Sequence, residues 1–415
     1  MQKEIEKRIN ESAEREIRLQ GNVSFTLDKS NTFTVGRLCV KGIVTVTRSD
    51  IIIDGSNAQI DVHINDCTTS DWSLFFIHPA ARNVQFRNMH ICVYIQNPTH
   101  STRMFSLIYN TSYGLKIDNC NIEVVSDKQL NICGIYNNGN LDTHMDTRAD
   151  NLVLSDSTVC VDCRAEEFEK ECAVYGLYNY LANSISVQNT FIYATNKGDG
   201  ARQKAVGIYT NGRFGRFTGN NIKANASHNE GREKERAHAF GFVNEGLYSV
   251  ISGNNLVGEW AGMSVGLENR GEYAMIECNK ILATHTVCGR SVRSYADKCH
   301  IIGNVLTSTS RNARLIEHNA GSCIIAKNML EVLMVQSECR SGCGIYALGE
   351  RCRDNMIAEN MIHNVADCGI FADRTAGMIV NNKVVSYLET VVQAGSENKH
   401  LLARLDEKNI QNIAE

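Results

Sequence analysis

Two glutamates, Glu245 and Glu268, end short apolar segments and could act together chemically. The segments read Gly241-Phe-Val-Asn-Glu245 and Val265-Gly-Leu-Glu268. If both are strands stacked in register, the carboxylates lie about 5 Å apart, because paired strands are about 4.8 Å apart. Carboxylates this close raise each other's proton affinity, and a spacing of about 5 Å suits an acid and a nucleophile at an acetal carbon. The pair therefore predicts cleavage or rearrangement of a glycosidic bond.

Other side chains near this pair in the sequence suit the binding of a sugar. Arginine and histidine bind anionic or hydroxyl-rich groups, and aromatic faces suit the apolar faces of sugar rings. The predicted catalytic residues are Glu268, as nucleophile or base, with Glu245 or Glu259 as acid. The predicted substrate-binding residues are Arg293, His318, Arg270, Glu272, Tyr209 and Trp260.

Several well-defined catalytic and metal-binding patterns are missing from the sequence or lack their context. Gly262-Met-Ser-Val-Gly266 matches a serine nucleophile elbow, but that elbow needs a following helix, and both flanks here predict strands. The sequence has no His-Glu-x-x-His, no dinucleotide-binding glycine motif and no Walker loop. Cys160, Cys163 and Cys172 lie close together, without a second pair or a histidine at finger spacing. We therefore predict neither a metal nor a cofactor.

A six-residue unit recurs along the chain and predicts the elements that position these residues. It reads apolar-x-x-polar-x-apolar, and in the last seven units the polar place is always asparagine, at intervals of 22 to 34 residues. Asparagine tolerates the left-handed backbone of a tight turn, and stacked asparagine side chains hydrogen-bond along a ladder. These asparagines are Asn220, Asn254, Asn279, Asn304, Asn328, Asn360 and Asn382. Because the asparagine keeps its place in the unit while the number of residues between units varies, we predict repeated coils with loops of unequal length.

A second short segment follows each unit, as in Gly134-Ile-Tyr-Asn-Asn138 and Gly207-Ile-Tyr-Thr-Asn211. Strands of three to five residues at this period, without helical periodicity between them, are typical of a parallel β-helix. From about Gly21 to Ser396 the sequence resembles the right-handed parallel β-helix superfamily of pectate-lyase-like proteins. We therefore predict an all-β solenoid of that fold.

Alignment of the second segments assigns their outward side chains to columns. One predicted column contains Tyr209 and Arg293, and the next contains Glu245, Glu268 and His318. Two alternatives stay open at this point. Glutamates can fall into register by chance in a polar column, and tyrosines also favour exposed sheets for structural reasons alone.

The two ends of the chain predict caps, because an open solenoid exposes a ladder edge that is normally covered. Residues 1–20 predict a capping helix, with apolar residues every four places from Ile5 to Ile17. Residues 21–396 predict the β-helix, and residues 397–415 a C-terminal cap. The charged run 223–238 predicts a solvated loop or, alternatively, a wall beside a cleft.

A shorter stretch resembles the family of inulin fructotransferases and difructose-anhydride hydrolases. The matching residues are Ser252-Gly253-Asn254, Gly266-Leu-Glu-Asn-Arg-Gly-Glu272 and Cys278-Asn279. The resemblance implies a β-helix that assembles as a homotrimer and uses a glutamate at the place of Glu268. The family also has an aspartate in the preceding turn, where this chain has Trp260-Ala-Gly262, with Glu259 as the nearest carboxylate. The chain therefore lacks one carboxylate of that family's pattern.

Composition narrows the class of protein. The chain of 415 residues has a net charge of −4 and no basic stripe, so we expect no nucleic-acid partner. Its charged first twenty residues, with no long apolar run elsewhere, predict a cytoplasmic protein without a membrane partner. The chain has only 2 prolines, which agrees with a continuous parallel ladder. Its 16 cysteines are dispersed along the chain, and we predict that most are small buried thiols.

These observations favour an intracellular carbohydrate-active enzyme that acts on an oligosaccharide or polysaccharide, with fructans and difructose anhydrides as the first candidates. A non-catalytic carbohydrate-binding or assembly module of the tailspike type is the alternative. A uronate polysaccharide lyase is a third hypothesis, which the lack of an acidic calcium cluster disfavours.

Overall fold

The structure of the chain is a computed structural model with two compact units. The first unit is Met1–Arg216 with Asn220–Asn229, and the second is Phe217–Gly219 with Glu230–Glu415. The described residues are 2–27, 31–35, 38–64, 71–96, 104–127, 130–139, 149–164, 172–197, 203–226, 237–333, 341–365, 368–372, 377–385, 392–394 and 410–412.

The first unit consists of short strands after a single described helix. Its elements are α1 (Gln2–Glu11), β1 (Glu16–Leu27), β2 (Asn31–Val35), β3 (Leu38–Val46), β4 (Ile52–Ile64), β5 (Asp71–Ile77), β6 (Gln85–Arg87), β7 (His90–Ile95), β8 (Met104–Asn110), β9 (Lys116–Asp118), β10 (Asn121–Ser126), β11 (Asn131–Asn138), β12 (Val153–Ser155), β13 (Thr158–Cys163), β14 (Ala173–Tyr180), β15 (Ser186–Gln188), β16 (Phe191–Asn196), β17 (Lys204–Thr210) and, after β18 (Arg216–Thr218) at the unit boundary, β19 (Asn221–Ala226).

The second unit continues with strands of the same kind. Its elements are β20 (His238–Asn244), β21 (Val250–Ser252), β22 (Asn255–Asn269), β23 (Met275–Glu277), β24 (Lys280–Ser294), β25 (His300–Ile302), β26 (Val305–Ser308), β27 (Asn312–His318), β28 (Ile324–Ala326), β29 (Met329–Val332), β30 (Ser341–Ala347), β31 (Asn355–Ala358), β32 (Met361–His363), β33 (Cys368–Ala372), β34 (Gly377–Val380), β35 (Asn382–Val385), β36 (Val392–Ala394) and β37 (Ile410–Asn412).

Three series of parallel strands form the coils of the first unit. They are β4-β7-β10-β13-β16-β19, β3-β5-β8-β11-β14-β17 and β6-β9-β12-β15. Each coil gives one strand to each series, so like residues stack on like. One buried interior column contains Ile60, Ile91, Ile122, Val159, Ile192 and Ile222. This arrangement confirms the predicted parallel β-helix.

The second unit has the same three-sided arrangement. Its series are β20-β22-β24-β27-β30-β33-β36, β21-β23-β25-β28-β31-β34 and β22-β24-β26-β29-β32-β35-β37. The long strands β22 and β24 belong to two series because each continues around a corner of the coil. In β22 the exposed Trp260 stands at that corner with a φ of 50°.

The predicted asparagine ladder runs through the interior of the second unit. From Asn254 to Asn360 each Nδ2 donates to the asparagine Oδ1 of the next coil, for example from Asn279 to Asn304 and from Asn304 to Asn328, each at 3.0 Å. The asparagines do not have the expected left-handed backbone themselves. The residue before each one does, as at Gly253 with a φ of 65° and Cys278 with a φ of 55°. The asparagine instead points inward, where it bonds the backbone of the corner.

A second interior ladder of asparagines lies at or near the C-terminal ends of the strands that include β8, β11, β14, β20 and β22. The sequence analysis did not identify it. In the first unit Asn137 donates to Asn179 and accepts from Asn110, both at 2.7 Å. In the second unit Asn244 donates to Asn269, also at 2.7 Å. These buried asparagines fix which residues of neighbouring coils lie side by side.

The N-terminal helix is shorter than predicted. Helix α1 ends at Glu11, and Ile17 is buried in strand β1, which pairs with β4. Asn10 holds the helix against the first coil, since its Nδ2 donates to the Thr45 carbonyl at 2.7 Å. The predicted C-terminal cap lies outside the described residues except for β37, which pairs with β35.

Most described cysteines are buried free thiols, as the composition predicted. Cys278 differs from them, because it occupies a left-handed corner position and is exposed. Gly262–Gly266 lies within strand β22 and is followed by more strand, so the serine elbow lacks its helix.

Candidate functional site

The candidate site lies on the outward face of the second unit, where strands β20, β22, β24, β27, β30 and β33 run side by side. The side chain of a residue at Gly266 would point inward, since a Cβ there would lie 2.3 Å from the Ile281 Cγ2 atom in the core. Leu267 also points inward and is fully buried. Two successive inward positions break the strand alternation. As a result Val265 and Glu268, three residues apart, both lie on the outward face.

The observed register differs from the predicted columns. Glu268 pairs with Val243 and Arg293, whereas Glu245 follows Asn244, the partner of Asn269. The prediction that Glu245 and Glu268 share a column is therefore wrong. The alignment had matched the ends of two segments of unequal length, whereas the interior asparagines Asn244 and Asn269 set the pairing.

Arg270 nevertheless brings these two glutamates together. Its Nη2 lies 2.6 Å from Glu268 Oε1, and its Nη1 donates to Glu245 Oε1 at 3.2 Å. The second Glu268 oxygen accepts from Arg293 Nη1 at 3.3 Å. Glu268 is 1% exposed, so its carboxylate is buried between two guanidinium groups. Glu245 is partly exposed at the edge of this arrangement.

Glu317 is a further member of the site that the sequence reading missed. It accepts from Arg290 Nε at 2.6 Å, from Arg314 Nη1 at 3.0 Å and from Arg293 Nε at 3.2 Å. Burial raises the pKa of this carboxyl, but the three guanidinium charges outweigh burial and hold it at about 2. The alignment of the second segments places Ile316 beside Arg293 in the outward column, but Ile316 is a buried core residue and Glu317, one residue later, is the true partner of Arg293. An alignment of the strands on their interior polar residues would have placed Glu317 beside Arg293.

Aromatic rings continue the outward face beyond the charged residues. The Arg314 guanidinium lies 3.7 Å from the centroid of the Tyr346 ring, which stacks on Phe371 with centroids 5.2 Å apart. Arg293 lies 5.0 Å from the centroid of the Tyr295 ring. These stacked contacts hold the guanidinium groups in place, because a delocalised cation is attracted to the face of an aromatic ring.

We use the name ion network for Glu245, Arg270, Glu268, Arg293, Glu317, Arg290 and Arg314. The charges alternate along the paired residues Glu268, Arg293 and Glu317, and each glutamate of the network contacts at least one arginine. Arg293 and Arg314 remain partly exposed. The network is therefore positioned to offer guanidinium donors and carboxylate acceptors to a polyhydroxyl ligand.

Other predicted residues of the second unit lie elsewhere. His318 pairs with Ser294 in the interior, is 1% exposed and lies 3.3 Å from Asn355 Oδ1, so the prediction that it faces a substrate is wrong. Burial lowers the pKa of this imidazole. Glu259 is buried in the first half of β22, and Trp260 is exposed at the corner that follows. Glu272 lies in the turn after β22, where its charge acts on Lys298.

Tyr209 belongs to the first unit. It stacks on Tyr178 with centroids 4.6 Å apart, and Tyr178 in turn contacts Tyr136 edge to face. The three rings form a half-buried outward column. These tyrosines thus form a column in the first unit, as predicted. The alignment error concerns the second unit, where Ile316 was assigned to this column in place of Glu317.

Within the described ranges, no group of three or more His, Cys, Asp or Glu side chains is placed to hold a metal ion. The described residues also include no helix long and apolar enough to cross a membrane.

Fold and outward face together define a parallel β-helix protein, and comparison with solved structures agrees. No protein-family model and no curated protein matches the chain. The tailspike protein of E. coli bacteriophage HK620, in a double-mutant form, is 10% identical over 96% of this chain and 73% of its own, with a TM-score of 0.51. This likeness confirms the β-helix fold.

Two further solved structures match the chain with lower TM-scores. The Dettilon tailspike protein is 11% identical over 82% of this chain, which spans only 62% of the tailspike chain, with a TM-score of 0.46. A mutant of DFA-IIIase from Arthrobacter chlorophenolicus A6, in complex with DFA-III, is 9% identical over 99% of this chain and 86% of its own, with a TM-score of 0.34.

Proposed function

We propose that this chain is a carbohydrate-active enzyme that binds an oligosaccharide at the ion network and cleaves or rearranges a glycosidic bond. Glu268 acts as nucleophile or base, and Glu245 as acid. The observation that carries the proposal is the pair of carboxylates bound to the two ends of one guanidinium, that of Arg270. Carboxylates about 5 to 9.5 Å apart act together at acetal carbons.

The surroundings of Glu268 suit the role of an ionised carboxylate. Two guanidinium groups hold its oxygens, and burial restricts it to one position. A nucleophile must be held in place, because misplacement lowers the rate steeply. Glu245 is partly exposed, so its carboxylate is accessible to a bound substrate. The resemblance of residues 252–279 to fructotransferases supports a catalytic role for Glu268.

A second candidate function is saccharide binding without cleavage. One observation favours it: Glu317 is held by three guanidinium groups and the Tyr295 hydroxyl, so it is placed as a fixed acceptor and not as a proton donor. In this role the ion network and the Tyr346–Phe371 stack form a fixed surface for sugar hydroxyls and ring faces.

The test is a screen of the purified chain against fructans, difructose anhydrides, neutral bacterial polysaccharides and uronides, with product masses recorded. Wild type should convert one class. Glu268→Gln should lose turnover by at least about 1,000-fold while still binding and folding, because it removes the reacting oxygen's charge.

Glu277→Gln is the matched control, since Glu277 is a half-buried outward glutamate on another side of the same unit. It should keep full activity. Equal activity in Glu268→Gln and wild type would contradict the catalytic assignment. Binding without any product in wild type would favour the second candidate.

A further inference from the structure

We propose that Cys343 and Cys368 form a site of reversible oxidation, at which a hydroperoxide joins two neighbouring coils through a disulfide bond. Cys343 in β30 pairs directly with Cys368 in β33, and their Sγ atoms are 3.2 Å apart. A disulfide needs Cα atoms about 4.4 to 6.8 Å apart. Directly paired strands, about 4.8 Å apart, meet that condition. Closing the Sγ atoms to about 2.05 Å takes a side-chain movement of about 1 Å.

Another pair of thiols, Cys299 and Cys323, is held differently. The Sγ of Cys299 donates to the carbonyls of Gly271 and Asp297, each at 3.3 Å. The Sγ of Cys323 accepts from the Cys299 backbone N–H at 3.3 Å and also contacts two carbonyl groups. Backbone groups from several segments therefore orient these two sulfur atoms. The Cys299 and Cys323 side chains also contact each other, but neither residue lies in a strand. Cys343 and Cys368 are direct partners on two paired strands, and Cys343 Sγ also contacts the Ile345 carbonyl at 3.3 Å.

The oxidation consumes one hydrogen peroxide per pair. The thiolate of one cysteine attacks a peroxide oxygen, the O–O bond breaks, and sulfenic acid and water form. The second thiolate then attacks the sulfenic sulfur and releases hydroxide, which takes up a proton. Two thiols and one peroxide give one disulfide and two waters, and an added dithiol reverses the change.

The reaction should be slow at neutral pH and faster in alkali. Contact with Cys368 and burial raise the pKa of the Cys343 thiol, so little thiolate exists near neutrality. The positive charge of Arg314 acts in the opposite direction. Both sulfur atoms are buried, so a small oxidant such as hydrogen peroxide is favoured over a bulky disulfide.

The site lies beside the ion network. Cys343 pairs with Arg314 of the preceding coil, and Arg314 stacks on Tyr346. Tyr346 and Phe371 each stand three residues after one of the cysteines, so the disulfide would join the two strands that carry this stacked pair. An effect on saccharide binding rests on the proposed function, whereas the disulfide itself does not.

The full-length chain, first reduced and desalted, is treated with hydrogen peroxide at mildly alkaline pH and digested without reductant. Mass spectrometry should find a peptide pair that joins Cys343 to Cys368, lighter by two hydrogen atoms than the separate peptides. The unfolding temperature should rise, and dithiothreitol should reverse both changes. Cys343→Ser should lose the linkage and the rise, while Cys278→Ser, which removes an exposed thiol, should keep both.

Cys368→Ser provides the same comparison if Cys343→Ser does not fold. The proposal is overturned if the linked peptide joins other cysteines, such as Cys299 and Cys323, or if both thiols stay free while the exposed Cys278 is oxidised. Loss or retention of saccharide turnover has no bearing on this mass measurement. Failure of this proposal is thus distinguishable from failure of the proposed function.

Discussion

At the scale of single residues, the outward face of the second unit is notable for how fully its carboxylates are paired. Glu317 contacts three arginines and the Tyr295 hydroxyl, and Glu268 contacts two arginines. Buried charges are stable only with such partners. The same contacts position the carboxylates for a ligand, so stability and site geometry depend on the same side chains.

Replacing Glu317 should show this dependence through pH. Its folded pKa of about 2 lies below the ordinary value of 4.5, so its stabilising contribution is complete above pH 4.5 and is lost as pH falls towards 2. Glu317→Gln should lower the free energy of unfolding by about 3 kcal/mol at pH 7, because it leaves the buried Arg290 without its carboxylate. Urea unfolding of both proteins from pH 7 to 2 measures the difference. A difference that stays constant over that range would contradict the assignment.

At the scale of the strand and its corner, the interior asparagines determine which side chains meet. Asn304 donates to the carbonyl of Ile276 and to Asn328, and its Oδ1 accepts from Asn279. Each bond joins a different coil or corner, so one side chain fixes the register of three coils. The outward positions of Glu268 and Glu317 depend on that register, since a slip of one residue turns a side chain inward.

Asn304→Leu should therefore destabilise the fold strongly. The change leaves several buried donors and acceptors unpaired, and each costs about 1 to 3 kcal/mol, so a loss of about 3 kcal/mol or more is expected. Asn364→Gly is the control, because Asn364 has a left-handed φ of 53° and its side chain bonds only to an exposed partner among described contacts. It should change stability by about 0.5 kcal/mol or less. Equal losses in the two variants would show that the ladder has no special role.

Gly266→Ala tests the inward turn that brings Val265 and Glu268 to the same face. The added Cβ would lie 2.3 Å from Ile281 and 2.8 Å from the Ser291 carbonyl oxygen, so the strand must shift. We expect lower stability, by about 1 to 3 kcal/mol, and weaker saccharide binding. Gly253→Asn should be milder, since a Cβ there would meet only the Gly219 backbone nitrogen at 3.9 Å and asparagine tolerates the φ of 65°. Thermal unfolding and binding assays compare the two, and a harmless Gly266→Ala would remove this explanation of the site.

At the scale of the whole molecule, repeated coils explain the composition. A continuous parallel ladder has few places for proline, because proline removes a ladder hydrogen bond. The interior accepts small apolar residues and thiols beside stacked isoleucines, and the described cysteines are mostly buried. The chain thus builds a large fold from short strands that are paired mainly with equivalent strands of neighbouring coils.

The oligomeric state is a property of the whole molecule, and we predict a homotrimer. The resemblance to fructotransferases implies a homotrimer, so light scattering on purified protein should give three times the chain mass of 46.1 kDa. Measurement at several concentrations separates a stable trimer from weak association. A mass equal to one chain at all concentrations would contradict this prediction and leave the proposed site, which lies within one chain, unchanged.

The sequence by itself determined the fold, because an asparagine that recurs between apolar residues in coil after coil is a direct consequence of stacking. It also determined that Glu268, Glu245 and two arginines are candidates for a site. The interior place of Asn254, Asn279 and Asn304 was predictable for the same reason.

Only the tertiary structure decided which of these side chains meet. The inward turn at Gly266 breaks the two-residue alternation, so alternation alone does not predict which side chains of the strand face outward. The register between neighbouring coils placed His318 inside, brought Glu317 into contact with three arginines, and joined Glu245 to Glu268 through Arg270. Repetition along the chain reveals the coil, whereas the position of one side chain against the next coil depends on register to a single residue.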